Sequence, residues 1–353
     1  MVPRYCPYPL WMEGGAIMPE EFSRRGFTKA TGTIALGMAA PAKLGDAQSL
    51  PDTQARPARQ GLPEFPPGFR WGVATSAYQI EGAVNEDGRG LSIWDTYAHT
   101  SGKIRNNENG DVADDHYHRY REDVKLMQAM GVKAYRFSIA WPRIFPTGTG
   151  QPKNPRGVDF YSRLVDELLA AGIEPFATLY HWDLPQALQD NYGGWQSRDT
   201  ARAFADYSGY IAAKLSDRIK NFFTVNEFSA FVDMGYRGTE TQVGGKVVTI
   251  GFAPGLRLPP AELNQVRHNA VLGHGLSVQA IRANGRSGTK CGPAENISTA
   301  VPVLETSEHI TAAEIATREL NAAYLTVMLE GKYTEAYLNG APARTPQNLL
   351  TKT

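Results

Sequence analysis

Five short apolar runs rich in β-prone residues recur along the chain, at 71–74, 134–139, 175–180, 222–225 and 290–294. Helical patterns at 114–130, 160–171, 200–215 and 261–283 separate them, and one more comes after the last run, at 312–330. Strands that are apolar almost throughout, each followed by a helix, read as parallel strands covered by helices. Asp199-Thr200 and Pro259-Pro260 mark helix starts, and Gly131, Gly172 and Gly285 mark helix stops. Two architectures suit such a chain, an open doubly wound sheet and a closed (β/α)8 barrel.

Two features separate them. No G-x-G-x-x-G turn follows the first run, which weakens a dinucleotide-binding open sheet. Polar residues instead recur just past successive strand ends: Gln79 and Glu81 after the first, His181-Trp182-Asp183 after the third, Asn226-Glu227 after the fourth. Arg136 lies on the second. In a parallel barrel all of those ends open onto one rim, where the loops build the active site. The expected fold is therefore α/β, a (β/α)8 TIM barrel.

The stretch TVNEF, 224–228, sharpens the point. An ionised carboxylate at the end of an apolar strand is costly unless it is paired, hydrogen-bonded or solvated. A solvated strand-end acid is the ordinary case, but four strands delivering polar groups to one rim ask for more than solvation. Asn, Gln and neutral His both donate and accept hydrogen bonds, which suits a neutral polyhydroxylated ligand, and Trp182 offers a flat apolar face. A carboxyl beside an amide in an apolar setting is a candidate general acid, because desolvation favours its protonated form. Sugar hydrolysis is the reaction class that needs these parts.

Composition removes other classes. Lys and Arg number 36, and so do Asp and Glu. Neither nucleic acid nor an anionic membrane surface is the expected partner, since both call for a basic field. His116 and His118 in DDHYHRY are two residues apart and do not share a helix face, so no metal is expected there. Cys6 and Cys291 are the only cysteines. Cys6 lies ahead of a leader, which leaves no intrachain disulfide and no cysteine metal site. No cofactor is expected.

The leader reads from SRRGFTKATGTIALGMAAPA. Arg24-Arg25 precede a short, weakly apolar run at 31–40 and a small-residue exit at Ala40-Pro41-Ala42, the order of a cleavable export signal of the twin-arginine type. The organisation expected is a leader at 1–42, a polar linker at 43–64 and the barrel at 65–353. The mature protein is expected to be periplasmic or secreted, with no membrane partner once the signal is removed.

Four blocks in order carry a family resemblance: FRWGVATSAYQIEG at 69–82, YRFSIAWPRI at 135–144, LYHWDLP at 179–185 and TVNEF at 224–228. Together they resemble the family 1 glycoside hydrolases, the β-glucosidases, whose Thr-x-Asn-Glu-Pro motif corresponds to TVNEF. The resemblance runs from about Phe65 to about Leu338. It implies that Glu227 is the acid/base, protonating the leaving oxygen and later deprotonating water, and that Asn226 bonds the sugar 2-hydroxyl. It also implies that Gln79 and His181 hold the far hydroxyls with Trp182 alongside, and that Arg136 lies close to the nucleophile. The implied partners are small β-glucosides or oligosaccharides.

The chain departs from the pattern twice. Phe228 stands where the family has proline, which adds bulk and releases a fixed φ beside the acid. A retaining glycosidase also needs a second carboxylate about 5 to 5.5 Å from the first. The family's Ile/Thr-x-Glu-Asn-Gly motif that supplies it is not found in the sequence. Glu81, Glu295, Glu305 and Glu330 stand in other contexts. The expectation is a barrel truncated after about five strands and lacking the nucleophile, with a non-catalytic remnant as the alternative to an active β-glucosidase.

Overall fold

The computed structural model describes residues 65–243 and 246–339, so the leader and the linker lie outside the described residues. The chain divides into two units, Met1–Pro67 and Gly68–Thr353, and the second holds all the strands and helices described. Its strands are β1 (Gly72–Ala74), β2 (Ala134–Ser138), β3 (Glu174–Tyr180), β4 (Asn221–Asn226), β5 (Thr239–Val243), β6 (Lys246–Ile250) and β7 (Lys290–Ala294). The longer helices are α1 (His116–Ala129), α2 (Pro155–Ala170), α3 (Arg198–Leu215), α4 (Pro260–Asn284) and α5 (Ser307–Leu320).

One sheet has the order β1-β2-β3-β4-β7, and every neighbouring pair is parallel. The order keeps to that of the chain without reversal, which is how a barrel is wound; a doubly wound sheet reverses at a switch point. The described residues thus supply five strands of a (β/α)8 barrel. Their ends fall within one residue of the sequence expectation.

Period-two alternation assigns the two faces of the sheet. Tyr135 and Phe137 on β2 turn toward the helices, Phe137 stacking on Tyr161 of α2 at 6.3 Å. Arg136 turns the other way, as do Phe176 and Thr178 of β3 and Phe223 of β4, where Phe176 and Phe223 stack at 6.4 Å. The main core lies under the helices and includes Phe160, Leu164, Leu168, Phe204, Tyr207, Ile211 and Val266.

The helix ends correct several expectations. Helix α2 starts at Pro155 rather than 160, because proline at the first helical position sacrifices no intrahelical bond. Helix α3 is capped by Ser197, whose hydroxyl accepts from the Asp199 N–H at 3.1 Å, so Asp199-Thr200 sits inside the helix. Gly131 and Gly172 adopt φ of +76° and +72° and stop their helices as expected. Gly285 also ends its helix, capping Pro260–Asn284, but with an extended backbone rather than a left-handed one.

The final expected helix, 312–330, is broken. Helix α5 runs Ser307–Leu320, a wider π-type turn comes next at Ala322–Thr326, and a short helix covers Val327–Glu330. Asn321 makes the break, its amide donating to Thr317 O at 2.6 Å and Ser298 O at 2.8 Å in competition with the helix ladder. The β5–β6 pair is an antiparallel hairpin that the strand-helix alternation does not contain. Gly244-Gly245 between its strands is a hairpin-turn dipeptide in the sequence.

Among the described residues no helix is long and apolar enough to cross a membrane, and no group of three or more His, Cys, Asp or Glu is placed to hold a metal ion. His116 is buried on α1 with its Nδ1 2.6 Å from Asp123 Oδ2.

Candidate active site

The C-terminal ends of β2, β3 and β4 bring four of the expected residues together. Arg136 points from β2, its Nε donating to Thr178 Oγ1 at 2.9 Å and its Nη2 to Asn226 Oδ1. The guanidinium lies over the Phe223 ring, 5.1 Å from its centre. Burial lowers the basicity of Arg136, and the nearby charge of Glu227 opposes that change.

This bond orients the next residue. With its oxygen taken by Arg136, the Asn226 amide turns its Nδ2 toward His181 Nε2, 3.3 Å away. His181 Nε2 is then the acceptor, and the ring proton belongs on Nδ1. Burial, reinforced by Arg136, pulls His181 down to about 4 from its ordinary 6.5, so the imidazole is neutral at pH 7. Its Nδ1 is buried and has no hydrogen-bond partner within the protein. Asn226 is itself buried.

Trp182 closes the side of the site. Its indole N–H donates to Asn226 O at 2.7 Å, and its ring stacks on Phe252 at 5.4 Å. Trp182 has φ +79° and Glu227 has φ +50°. Left-handed backbone costs about 1–2 kcal/mol per non-glycine residue, and such outliers gather at functional positions. Glu227 is half-buried, and its N–H donates to Ala294 O on β7 at 2.7 Å.

Gln79 stands apart from this chain of bonds. It lies in the short helix Ala77–Ile80 after β1, is exposed, and accepts from Ser76 Oγ at 2.7 Å. Glu81, read in the sequence as a rim residue, turns away. It is buried against Arg143, with Nε to Oε2 at 3.0 Å, and accepts from the Tyr161 hydroxyl at 2.5 Å. The short helix after β1 makes the difference, since it rotates residues 77–81 off the strand direction.

Phe228 does not crowd the acid. It is fully buried, stacked on Tyr324 at 5.2 Å and edge-on to His274 at 6.2 Å. Two neighbours of the site are not among the residues expected from the sequence. Phe252 lies beyond the hairpin, and its stacking leaves no local pattern. Glu295 comes after β7 as Asn226-Glu227 come at the end of β4, and that repeat is the signal the sequence holds for it. Asp183, next to Trp182, is fully buried, and burial pushes its carboxyl up to about 7.

A neutral imidazole, an amide held in one orientation, an indole face and a half-buried carboxylate suit a hydroxyl-rich ring with one bond to protonate. The model of glycosyl hydrolase family 1 matches residues 62–351. The chain is 47% identical over 272 residues to beta-glucosidase A of Acetivibrio thermocellus, covering 77% of this chain and 57% of that one. It is 42% identical over 286 residues to beta-glucosidase A of Thermotoga maritima, covering 81% of this chain and 61% of that one. Its fold is similar to that of the beta-glucosidase from Thermotoga maritima in complex with glucoimidazole, with a TM-score of 0.70 at 40% identity over 81% of this chain and 62% of the other. The chain thus spans roughly three-fifths of the length of these relatives. It belongs to glycosyl hydrolase family 1.

Proposed function

We propose that this site binds the terminal sugar of small β-glucosides or oligosaccharides, and that Glu227 is the general acid/base of hydrolysis with retention. The observation that carries the reading is the Arg136–Asn226–His181 chain of hydrogen bonds, with Glu227 the next residue after its central member. Asn226 keeps a second N–H on Nδ2 for a sugar hydroxyl, next to the neutral His181 ring. Glu227 gives its proton to the departing oxygen and then takes one from water, steps that general acid–base catalysis speeds about 10² to 10⁴-fold. Arg136, which the family resemblance puts near the nucleophile, acts through Asn226 by fixing the amide.

A second reading, sugar binding without turnover by this chain, draws on the other carboxylates. Glu81 is committed to Arg143 and Tyr161, Glu295 to the Phe228 N–H, and Glu330 to Arg318. None of these three is free to attack a sugar carbon.

Titration of the 353-residue chain with glucoimidazole, the ligand held by the Thermotoga maritima relative, tests the site. Saturable binding is expected, weakened at least about tenfold by Asn226→Ala and by His181→Ala, the loss of one hydrogen bond to a polar ligand. Absence of binding, or binding indifferent to both changes, contradicts the site. Export by the twin-arginine route belongs to the same proposal and rests on Arg24-Arg25 ahead of a short apolar run. Replacing both by lysine should leave the protein in the cytoplasm, and unchanged export would refute it.

A further inference from the structure

The residue after the proposed acid is tied to a strand that the motif does not include. Phe228 N–H donates to Glu295 Oε2 at 2.6 Å, and Ser229 Oγ donates to Glu295 Oε1 at 3.3 Å. Glu295 comes directly after β7, whose Ala294 O accepts from the Glu227 N–H at 2.7 Å. Two consecutive peptide N–H groups, those of Glu227 and Phe228, are therefore held by two consecutive residues, Ala294 and Glu295. The first of the pair, Glu227, sits in the left-handed region, which L-residues other than glycine and asparagine rarely adopt.

The substitution at 228 gives this tether its reason. Proline, which the family motif carries here, has no N–H to satisfy and has its own φ fixed. Phenylalanine brings a free φ and an N–H, and because Phe228 is fully buried that N–H needs an acceptor. The Glu295 carboxylate is the acceptor, and the Phe228 ring is locked against Tyr324 at 5.2 Å. Burial raises the Glu295 carboxyl above its ordinary value, the bonds from Phe228 and Ser229 oppose the rise, and the charge of Glu227 adds to it.

We infer that Glu295 is a positioning residue for Glu227, holding the acid in its left-handed conformation through the Phe228 N–H and replacing the constraint that proline would give. The inference rests on the acid/base reading of Glu227. It separates Glu295 from the residues that would touch sugar: its part is to hold the acid where the glycosidic oxygen comes to lie.

The test is a cycle on the 353-residue chain with two readouts, amide exchange at Phe228 and affinity for glucoimidazole, whose ring nitrogen stands in for the glycosidic oxygen. Glu295→Ala should speed Phe228 exchange at least about tenfold against the amides of α3, the scale of a lost bond to a charged group. It should weaken glucoimidazole about tenfold. Glu295→Gln, which keeps a carbonyl acceptor, should stay within about threefold of the parent in both. In the Phe228→Pro background, Glu295→Ala should change affinity by less than about twofold, because no N–H is left to orphan.

Equal losses of affinity with and without the Phe228→Pro change, or unchanged Phe228 exchange in Glu295→Ala, would overturn the inference. If Glu295→Ala does not fold, Glu295→Gln carries the test, and a loss of glucoimidazole affinity well beyond about threefold without faster Phe228 exchange would overturn the inference. Glu227→Gln separates the two ideas. Should it leave glucoimidazole binding untouched, the acid role is wrong, and the exchange measurement alone then decides whether Glu295 holds residue 228.

Discussion

Residues 134–232 and residues 297–329 use apolar side chains in opposite ways. In the first stretch Ile139, Trp141, Leu179, Tyr180, Trp195 and Phe204 are wholly buried. In the second, Val301 is 80% exposed, Val303 86% and Leu329 77%. The first stretch carries Arg136, His181, Trp182, Asn226 and Glu227 on strand ends backed by that core. The lesson is that the site is built on the part of the molecule that packs most completely, where backbone strain at Trp182 and Glu227 can be held. The second stretch meets the neighbourhood of the site through Tyr324 on Phe228, with Glu295 just ahead of it in the chain.

If that contrast is right, changes in the first stretch and its supports are expensive and changes in the second are cheap. The largest effect is expected at the buried pair. Glu81→Ala leaves Arg143 as an uncompensated charge in the core and should cost about 3–5 kcal/mol, read from urea unfolding. Leu179→Ala, fully buried on β3, should cost about 2–5 kcal/mol. Losses below about 1 kcal/mol at both positions would erase the contrast.

Intermediate effects come from pH. His181 and His274 are each held near 4 by burial, against an ordinary 6.5. The unfolded chain binds those protons first, so stability falls as pH drops from about 6.5 toward 4, by a few kcal/mol in total at the order-of-magnitude level. Asp183 works in the other direction. Raised from 3.8 to about 7, it contributes stability at low pH that is lost as pH climbs between those values. Between about pH 4 and 6.5 the two effects therefore oppose each other, and the fall of stability toward acid is shallower than the histidines alone would make it. Asp183→Asn should remove the opposing loss and so steepen the fall of stability between about pH 6.5 and 4, and an unchanged slope would contradict the assignment.

The smallest effect is expected at 303. Val303→Ser should change stability by no more than about 0.5 kcal/mol. It should also reduce self-association in sedimentation, because exposed apolar patches promote association. A loss comparable with Leu179→Ala would mean that Val303 is covered in solution.

How much of this is legible in the sequence depends on the range of the interactions. The five parallel strands are marked by local apolar runs bounded by helix signals, and all five are readable. The hairpin is not, although Gly244-Gly245 announces it, because the alternation of strand and helix accounts for the flanking sequence well enough without it. Ser197 is hidden by Asp199, an equally good cap two residues on. For the site, Arg136, His181, Trp182, Asn226 and Glu227 stand out as polar residues at strand ends. Glu81 shows the same pattern and is a core ion pair, since strand-end position does not say which way a side chain turns after a short helix. The Glu295 bond to Phe228 spans 67 positions and leaves no periodic mark.

The central claim is the role of Glu227, and its most direct test compares leaving groups. The measurement joins this chain to the C-terminal part of a full-length family relative and records aryl β-glucoside hydrolysis by the parent and by Glu227→Gln. Protonation matters most when the departing oxygen is basic. Glu227→Gln should therefore slow phenyl β-glucoside by about 10² to 10⁴-fold while largely sparing formation of the glycosyl intermediate from a nitrophenyl β-glucoside. Added azide should restore turnover of the nitrophenyl substrate, because it attacks without a general base. An equal loss on both substrates with no azide rescue would remove Glu227 from the acid/base role.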